Sequence, residues 1–565
     1  MGHAELLASR MATQRDAGRG DERTPCRLDT RHMAGTKIKR TEDTRRPEED
    51  SLTTATAPGS QAYKKKYPGN PSFVAASMSP QNGSVEQKAQ GGSGMRRWIV
   101  PMAFLLPFTI RSIPEILAGP YPIGYDSIAS YIPVMRDWAA GNFASQPSMM
   151  VGGPLVFAVL ASLYGLTGID PIFIVKVAGP IVYGVLGVSE YMFAKKYLLW
   201  DYKKSISFVL IASIYFVSLR LSWDLLRNTL AMAFLFLSLV LSKDLRTRRN
   251  SITFSALSLV TTATHVFTGS LLAVLVGLQS ARHVDFRKSL LTLVPSVGWI
   301  LSSLALFQAT GIELVSISGQ PRQLVNAYAF ALYAFIPIIP VAVIGARARL
   351  PIVSRNWILL CLAGFVASTT PIFSISSQLI WPERWTFMLF FPLASLATEG
   401  FFRLQKVRWR TTLPRISLGY VWLLVLLILA ATYISLPARE AMPYYQFVTP
   451  TSMLQSTVPA EDSQSVASAF QWLSTHAPSN SVIVTTDVMY GWSREYFTGQ
   501  STVLWFHSGS SLQDALSTVM ADHYSMIYTV WWADGQGWYG NPTVPSGFQE
   551  IHQFGQFGVF LLINQ

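Results

Sequence analysis

Residues 98–117 read Trp98-Ile-Val-Pro-Met-Ala-Phe-Leu-Leu-Pro-Phe-Thr-Ile-Arg-Ser-Ile-Pro-Glu-Ile-Leu117, and Arg96 and Arg97 stand directly before them. The run carries two charges, Arg111 and Glu115, both near its end. At about 1.5 Å per residue such a helix crosses the roughly 30 Å of hydrocarbon in a bilayer. Positive charge before it marks that flank as the inner one. Outward from this run, apolar stretches recur with short breaks at 171–193, 205–221, 228–242, 252–264, 265–281, 289–309, 327–346, 356–373, 385–402 and 415–435. The chain is 14% charged, against about 25% in a soluble protein, and the deficit lies between Arg96 and Tyr433. The fold class is therefore an all-α polytopic membrane bundle of about eleven transmembrane helices, followed by a small α/β domain.

Loop charge tests the count. With the N-terminus inside, the inner loops hold Lys195, Lys196, Lys203 and Lys204, then Lys243, Arg246, Arg248 and Arg249, then Arg282, Arg287 and Lys288, then Arg347, Arg349 and Arg355, then Arg403, Lys406, Arg408, Arg410 and Arg415. Every strongly basic loop falls on one side. This holds only if 252–281 forms two helices rather than one long tilted helix, and if 154–169 does not span. Sixteen residues reach only about 24 Å, so 154–169 reads as interfacial. The expectation is an integral membrane protein, in the plasma membrane, with a cytoplasmic N-terminus and the C-terminal domain outside.

The net charge of +13 does not imply a nucleic-acid partner, because the basic residues sit in the tail and the short loops. Cys26 and Cys361 cannot build a disulfide framework, and no Cys/His spacing suits zinc. Residues 1–94 read as a disordered tail, with no signal-peptide core. Alternatively they are a non-native extension, since Met95-Arg-Arg-Trp98 looks like a start. Residues 95–435 form the transmembrane domain, with a long outer loop at 118–153, and 436–565 form the external domain. There, 461–476 and 511–520 read as helices, and 481–486, 502–506, 524–532 and 558–564 as strands.

Ionisable side chains at membrane depth mark functional sites, and here they gather at the outer ends of the helices. Arg111 and Glu115, four apart, suit a local pair. Lys176, Asp224, Arg227, His265 and Arg322 lie at outer ends or turns, and Glu383 and Arg384 lie in Trp381-Pro-Glu-Arg-Trp385. The outer loop reads Gly119-Pro-Tyr-Pro-Ile-Gly-Tyr-Asp-Ser-Ile-Ala-Ser-Tyr-Ile-Pro133. Asp126 follows a Pro/Gly turn and opens an amphipathic helix that contains Tyr131. It reads either as an N-cap or as an exposed carboxylate at the membrane face, a general base or a ligand for a divalent cation.

These features resemble the polyprenyl-phosphate-dependent glycosyltransferases of the GT-C fold, a class that includes protein mannosyltransferases, aminoarabinose transferases and oligosaccharyltransferase catalytic subunits. The resemblance covers 95 to about 500. It rests on Asp126 and Tyr131 in the loop after the first helix, on Gly152-Gly-Pro-Leu155 opening a short membrane-facing helix, and on the later helices. It rests also on Phe470-Gln-Trp-Leu-Ser-Thr-His-Ala-Pro-Ser-Asn-Ser-Val-Ile-Val484 opening the external domain. Where oligosaccharyltransferases carry Trp-Trp-Asp-Tyr-Gly, this chain reads Thr485-Thr-Asp-Val-Met-Tyr-Gly491, which keeps Asp487, Tyr490 and Gly491.

The resemblance implies an enzyme of the cell envelope, such as one of protein glycosylation, that moves a sugar from a polyprenyl or dolichyl phosphate to a protein or glycan acceptor. Asp126 is then the catalytic base. Arg384, Arg227, Lys176 and His265 bind the donor phosphate, because cationic groups stabilise the departing charge. Tyr131, Glu383, Asp224 and Arg322 support them, and Asp487 and Tyr490 face the acceptor. No cofactor is certain; Mg or Mn would be held by Asp126 and Glu383. A transporter or flippase of lipid-linked sugar, which needs polar groups at mid-membrane, and a non-catalytic scaffold are the alternatives. The external aromatics Trp492, Trp505, Trp531, Trp532, Trp538 and Tyr539 suit sugar stacking or an ordinary core.

Overall fold

The structure, a computed structural model, describes residues 93–563 except 125, 144–146, 282–285, 310–323, 348–350, 370–381, 408–416, 436–457, 459–460, 498–501, 507–511, 513–515, 517–518, 521–523 and 534–546. The tail through 92, Cys26, Arg322, Trp538, Tyr539 and the expected domain boundary at 436 lie outside the described residues. So does much of the expected helix at 511–520.

Helix α1 runs Ser93–Leu117. A π-helical turn, Ser127–Tyr131, leads into α2, Ile132–Ala139, and then α3, Pro147–Gly152, and α4, Leu155–Thr167. Helix α5, Pro171–Met192, packs along α1. Next come α6, Tyr202–Ile214, α7, Phe216–Asp224, α8, Leu226–Ser242, α9, Arg248–Thr264, and α10, Val266–Ser280. They are followed by α11, Phe286–Ala309, α12, Leu324–Phe335, α13, Ile339–Ala346, and α14, Ile352–Thr369. Helix α15, Pro382–Leu404, is central, with 72% of its apolar window buried, and α16 is Leu418–Ser435.

Among the described residues, five helices are long and apolar enough to cross a membrane: Trp98–Leu117, Pro171–Tyr197, Phe286–Leu306, Ile352–Thr369 and Pro382–Leu404. Two bent pairs raise this to seven if each pair is one span. The sequence reads 205–221 and 327–346 as straight spans; both are instead broken, by 65° and 68°. At 327–346 the cause is Pro337 and Pro340, which remove helical donors. At 205–221 the break falls on Tyr215, whose backbone is extended and whose hydroxyl donates to the Ala334 carbonyl at 2.7 Å. The stretch 252–281 does form two helices, broken at His265 with φ −159° and ψ 110°. The expected interfacial helix is α4, which at 13 residues is about 20 Å long and too short to span.

The C-terminal domain opens with α17, Ser463–His476. Its strands are β1, Val482–Thr486, β2, Thr502–Phe506, β3, Met526–Trp532, β4, Gln549–Phe554, and β5, Phe557–Ile563. Their order is β2-β1-β3-β5-β4. The first three are parallel, while β5 and β4 run antiparallel. The sequence reading missed β4, whose Gln-Glu-Ile-His-Gln-Phe is too polar to read as a strand and sits at the sheet edge. It also missed α18, Asp487–Tyr496.

The expected long outer loop is largely folded. Every residue from Ser127 to Met135 is buried, so the stretch is not amphipathic. Ile128, Tyr131, Trp138, Phe157, Val175 and Leu226 share one hydrophobic core with the sheet. The loop is thus the joint through which the C-terminal domain seats on one end of the bundle.

Candidate active site at the joint between bundle and C-terminal domain

Asp126 has helical backbone, φ −65° and ψ −21°, and its side chain makes no capping hydrogen bond. The N-cap reading is therefore not met. The half-buried carboxylate instead accepts from the Ser130 hydroxyl at 3.4 Å. One turn later, the Tyr131 hydroxyl accepts the backbone N–H of Arg227 at 3.2 Å. The Tyr131 ring stacks on Phe157 at 5.1 Å. Burial pushes the Tyr131 hydroxyl up to about 12, against the opposing pull of Arg227, so it stays protonated at neutral pH. The Arg227 guanidinium lies 4.9 Å from the centre of the same Phe157 ring, a cation–π contact.

Arg227 is the second residue of α8, His265 caps α10, and Arg384 is the third residue of α15. Helix N-termini present unpaired N–H groups and partial positive charge, which suits an anion. His265 Nδ1 accepts the Thr268 N–H at 3.3 Å, which leaves the proton of a neutral ring on Nε2, facing away from the cap. The charges of Arg384 and Arg227 both act on this imidazole. Gly153 closes the corner: its φ is +140°, and a Cβ there would lie 2.2 Å from the Thr264 carbonyl oxygen. Only glycine fits that approach. A Cβ on Gly152 would sit 3.5 Å from Arg227 Nη1. Asp126, Tyr131, Arg227, His265 and Arg384 thus belong to one neighbourhood, walled by Phe157 and the Gly152-Gly153 turn.

Lys176 bonds the carbonyls of Glu115 and Tyr121 and sits 3.5 Å from the Glu115 carboxylate. It belongs to a buried network with Arg111. Glu383 is half-buried beside Arg384 in the first turn of α15. Asp224 ends α7 and Asp487 begins α18, but their side chains lie outside the described residues, as Arg322 does. Tyr490 is half-buried on α18.

Helix α18 is pressed onto the loop. A Cβ on Gly491 would fall 2.7 Å from Ala129 Cα. Trp492 meets Tyr121 edge-on at 4.9 Å. Arg136 pairs with Glu495 at 2.6 Å, and Arg494 lies 3.8 Å from Asp137. Sequence reasoning missed Phe157, Arg136 and Glu495; Phe157 is one apolar residue in an apolar run, and the other two meet across 359 positions. Trp492, Trp531 and Trp532 are buried core residues rather than a sugar platform. Among the described residues no three His, Cys, Asp or Glu side chains gather in a metal-binding set.

No family model matches the chain, and no curated protein does. Solved structures similar to it include ArnT from Cupriavidus metallidurans bound to undecaprenyl phosphate, at 12% identity and TM-score 0.47, covering 83% of this chain and 98% of that one. The apo form of the same protein matches with TM-score 0.48, the same identity and the same coverage. The arabinofuranosyltransferase AftD from Mycobacteria matches at 12% identity and TM-score 0.45, over 83% of this chain and 40% of that one.

Proposed function

We propose that this chain is a GT-C-type membrane glycosyltransferase. It moves a sugar from a polyprenyl-phosphate-linked donor to an acceptor at the outer membrane face. The observation that supports the reading is a carboxylate not used for capping, Asp126, on the same helical stretch as Tyr131, whose hydroxyl holds the Arg227 N–H at a corner where three cationic helix N-termini contribute charge. Transfer from a lipid phosphate needs those two parts on opposite sides of one carbon.

The donor's phosphate sits against Arg227, Arg384 and the Nε2–H of His265, and the polyprenyl chain lies along the apolar bundle. The acceptor's nucleophilic atom attacks the anomeric carbon while Asp126 takes its proton. The C–O bond to phosphate breaks, and both electrons leave with the phosphate oxygen. The guanidinium groups stabilise that charge with paired N–H donors, in a region where low dielectric strengthens them. Tyr131 ties the base's helix to the backbone of Arg227. Tyr490 and Asp487, at the start of α18, approach from the acceptor side. Lys176 is given a supporting place behind the site instead of a phosphate contact. With the C-terminal domain outside, as the loop charge suggests, this site faces the outer leaflet.

The test is sugar transfer in membranes from radiolabelled polyprenyl-phosphate donors. Asp126→Asn is expected to lower the rate at least about 100-fold, the scale of general-base loss, with protein level unchanged. Arg227→Ala and Arg384→Ala are expected to raise the donor KM. Wild-type protein that transfers no sugar from any such donor, yet moves lipid-linked sugar across the bilayer, would replace this reading with a flippase.

A further inference from the structure

Helix α1 buries a cation and an anion one turn apart. Arg111 is fully buried and Glu115 is 4% exposed, and Arg111 Nη2 bonds Glu115 Oε1 at 2.6 Å. An exposed pair at this spacing would only support its own helix. This pair does something else, because each partner also holds main chain from a distant segment.

Arg111 Nε donates to the Ser222 carbonyl at 3.2 Å, and Nη2 donates to the Trp223 carbonyl at 3.3 Å. These carbonyls lie on the last turn of α7, five and four residues before Arg227. Glu115 Oε2 accepts the Ile123 N–H at 3.2 Å, three residues before Asp126. Lys176 of α5 neutralises the same carboxylate from 3.5 Å and donates to the Tyr121 carbonyl at 3.0 Å. The Ser127 hydroxyl lies 2.9 Å from the Ile123 carbonyl and 3.4 Å from the Trp223 carbonyl, which closes the ring. One ion pair therefore grips both strings of backbone that end in the two halves of the site.

We infer that Arg111, Glu115 and Lys176 are positioning residues that set the separation between Asp126 and Arg227. The inference rests on the reading of those two as base and phosphate ligand. A buried guanidinium suits the task because its planar fork holds its donors in fixed directions toward the carboxylate and the two carbonyls, where an ammonium is a point charge with rotatable donors. The network touches neither donor nor acceptor. Its loss shifts the reacting groups apart without removing either, and misplacement by about 1 Å costs on the order of 100-fold in rate.

The experiment compares purified wild type with Arg111→Lys, Tyr131→Phe, their combination, and the reversed pair Arg111→Glu with Glu115→Arg. Asp126→Asn serves as the reference for the site. In Arg111→Lys, kcat is expected to fall about 100-fold while the lipid-donor KM moves less than about threefold. The combination with Tyr131→Phe is expected to lose much less than the product of the single losses, since both act on the same separation. The reversed pair restores an ion pair but not the bonds to Ser222 and Trp223, and is expected not to recover activity. Should Arg111→Lys fail to give folded protein, Ser127→Ala opens the ring more gently and is expected to lower kcat alone. Full activity in the folded Arg111→Lys protein, fully multiplicative losses, or rescue by the reversed pair overturns the inference. Unaffected network variants beside a dead Asp126→Asn would sink the inference alone. A wild type without transfer, or an active Asp126→Asn, would sink the underlying function with it.

Discussion

At Tyr131 the two sides of the site meet: its ring lies on Phe157 and its oxygen takes the Arg227 N–H. Removing that acceptor leaves a part-buried helix N-terminal donor unpaired, at a cost of about 1 kcal/mol. Tyr131→Phe is therefore expected to lower kcat/KM roughly 10-fold, measured against an unchanged protein level. Arg227→Lys keeps the charge but loses the fork and the flat contact with Phe157. It is expected to raise the lipid-donor KM about 10-fold while leaving kcat nearly intact. Asp126, Arg227, His265 and Arg384 stood out in the sequence as candidates because ionisable groups are rare in an apolar chain. What stands beside each was not legible. Lys176 read as a phosphate ligand, yet its partner Glu115 lies 61 positions earlier on another helix, and only the packing of α1 on α5 brings them together.

The contact of α18 with the π-helical turn decides whether the C-terminal domain is seated. Gly491→Ala puts a methyl group into Ala129, and is expected to lift α18 off the loop. Faster proteolytic release of the C-terminal domain from otherwise intact protein would show it. The pair Arg136–Glu495 adds a pH dependence. Burial pushes the Glu495 carboxyl from 4.5 up to about 7, outweighing Arg136. The folded state then holds this proton more tightly than the unfolded chain does. Stability from this group is full below about 4.5 and is lost as pH rises through about 7, by roughly 3 kcal/mol. Thermal unfolding of the solubilised protein from acid to neutral pH is expected to show that slope, and Glu495→Gln to flatten it. Elements with strong patterns, such as α1, α17, β1 and β2, were readable to within a few residues. Helix α18 was not, since Asp-Val-Met-Tyr-Gly-Trp mixes strand formers with a mid-helix glycine. The break at Tyr215 was not either, because nothing local forces it and its hydroxyl partner, Ala334, is 119 positions away.

For the molecule as a whole, apolar runs located the bundle, but run length alone could not say which helices cross. The charge of the loops gives an expected parity, which makes sidedness testable. With Cys26 replaced, Asn480→Cys in the C-terminal domain is expected to react with an impermeant maleimide on intact cells, and Lys203→Cys to react only after permeabilisation. The reverse pattern would put the site on the inner leaflet. The sheet order has its own consequence for how the protein is made. Strand β5 is translated after β1, β2, β3 and β4, yet it inserts between β3 and β4. While the ribosome works toward residue 563, the bundle is already entering the bilayer and the apolar strand Met526–Trp532 waits with one edge unpaired. An open edge of that composition recruits other chains. A nascent chain stalled or cut short before Phe557 would thus be a sticky intermediate.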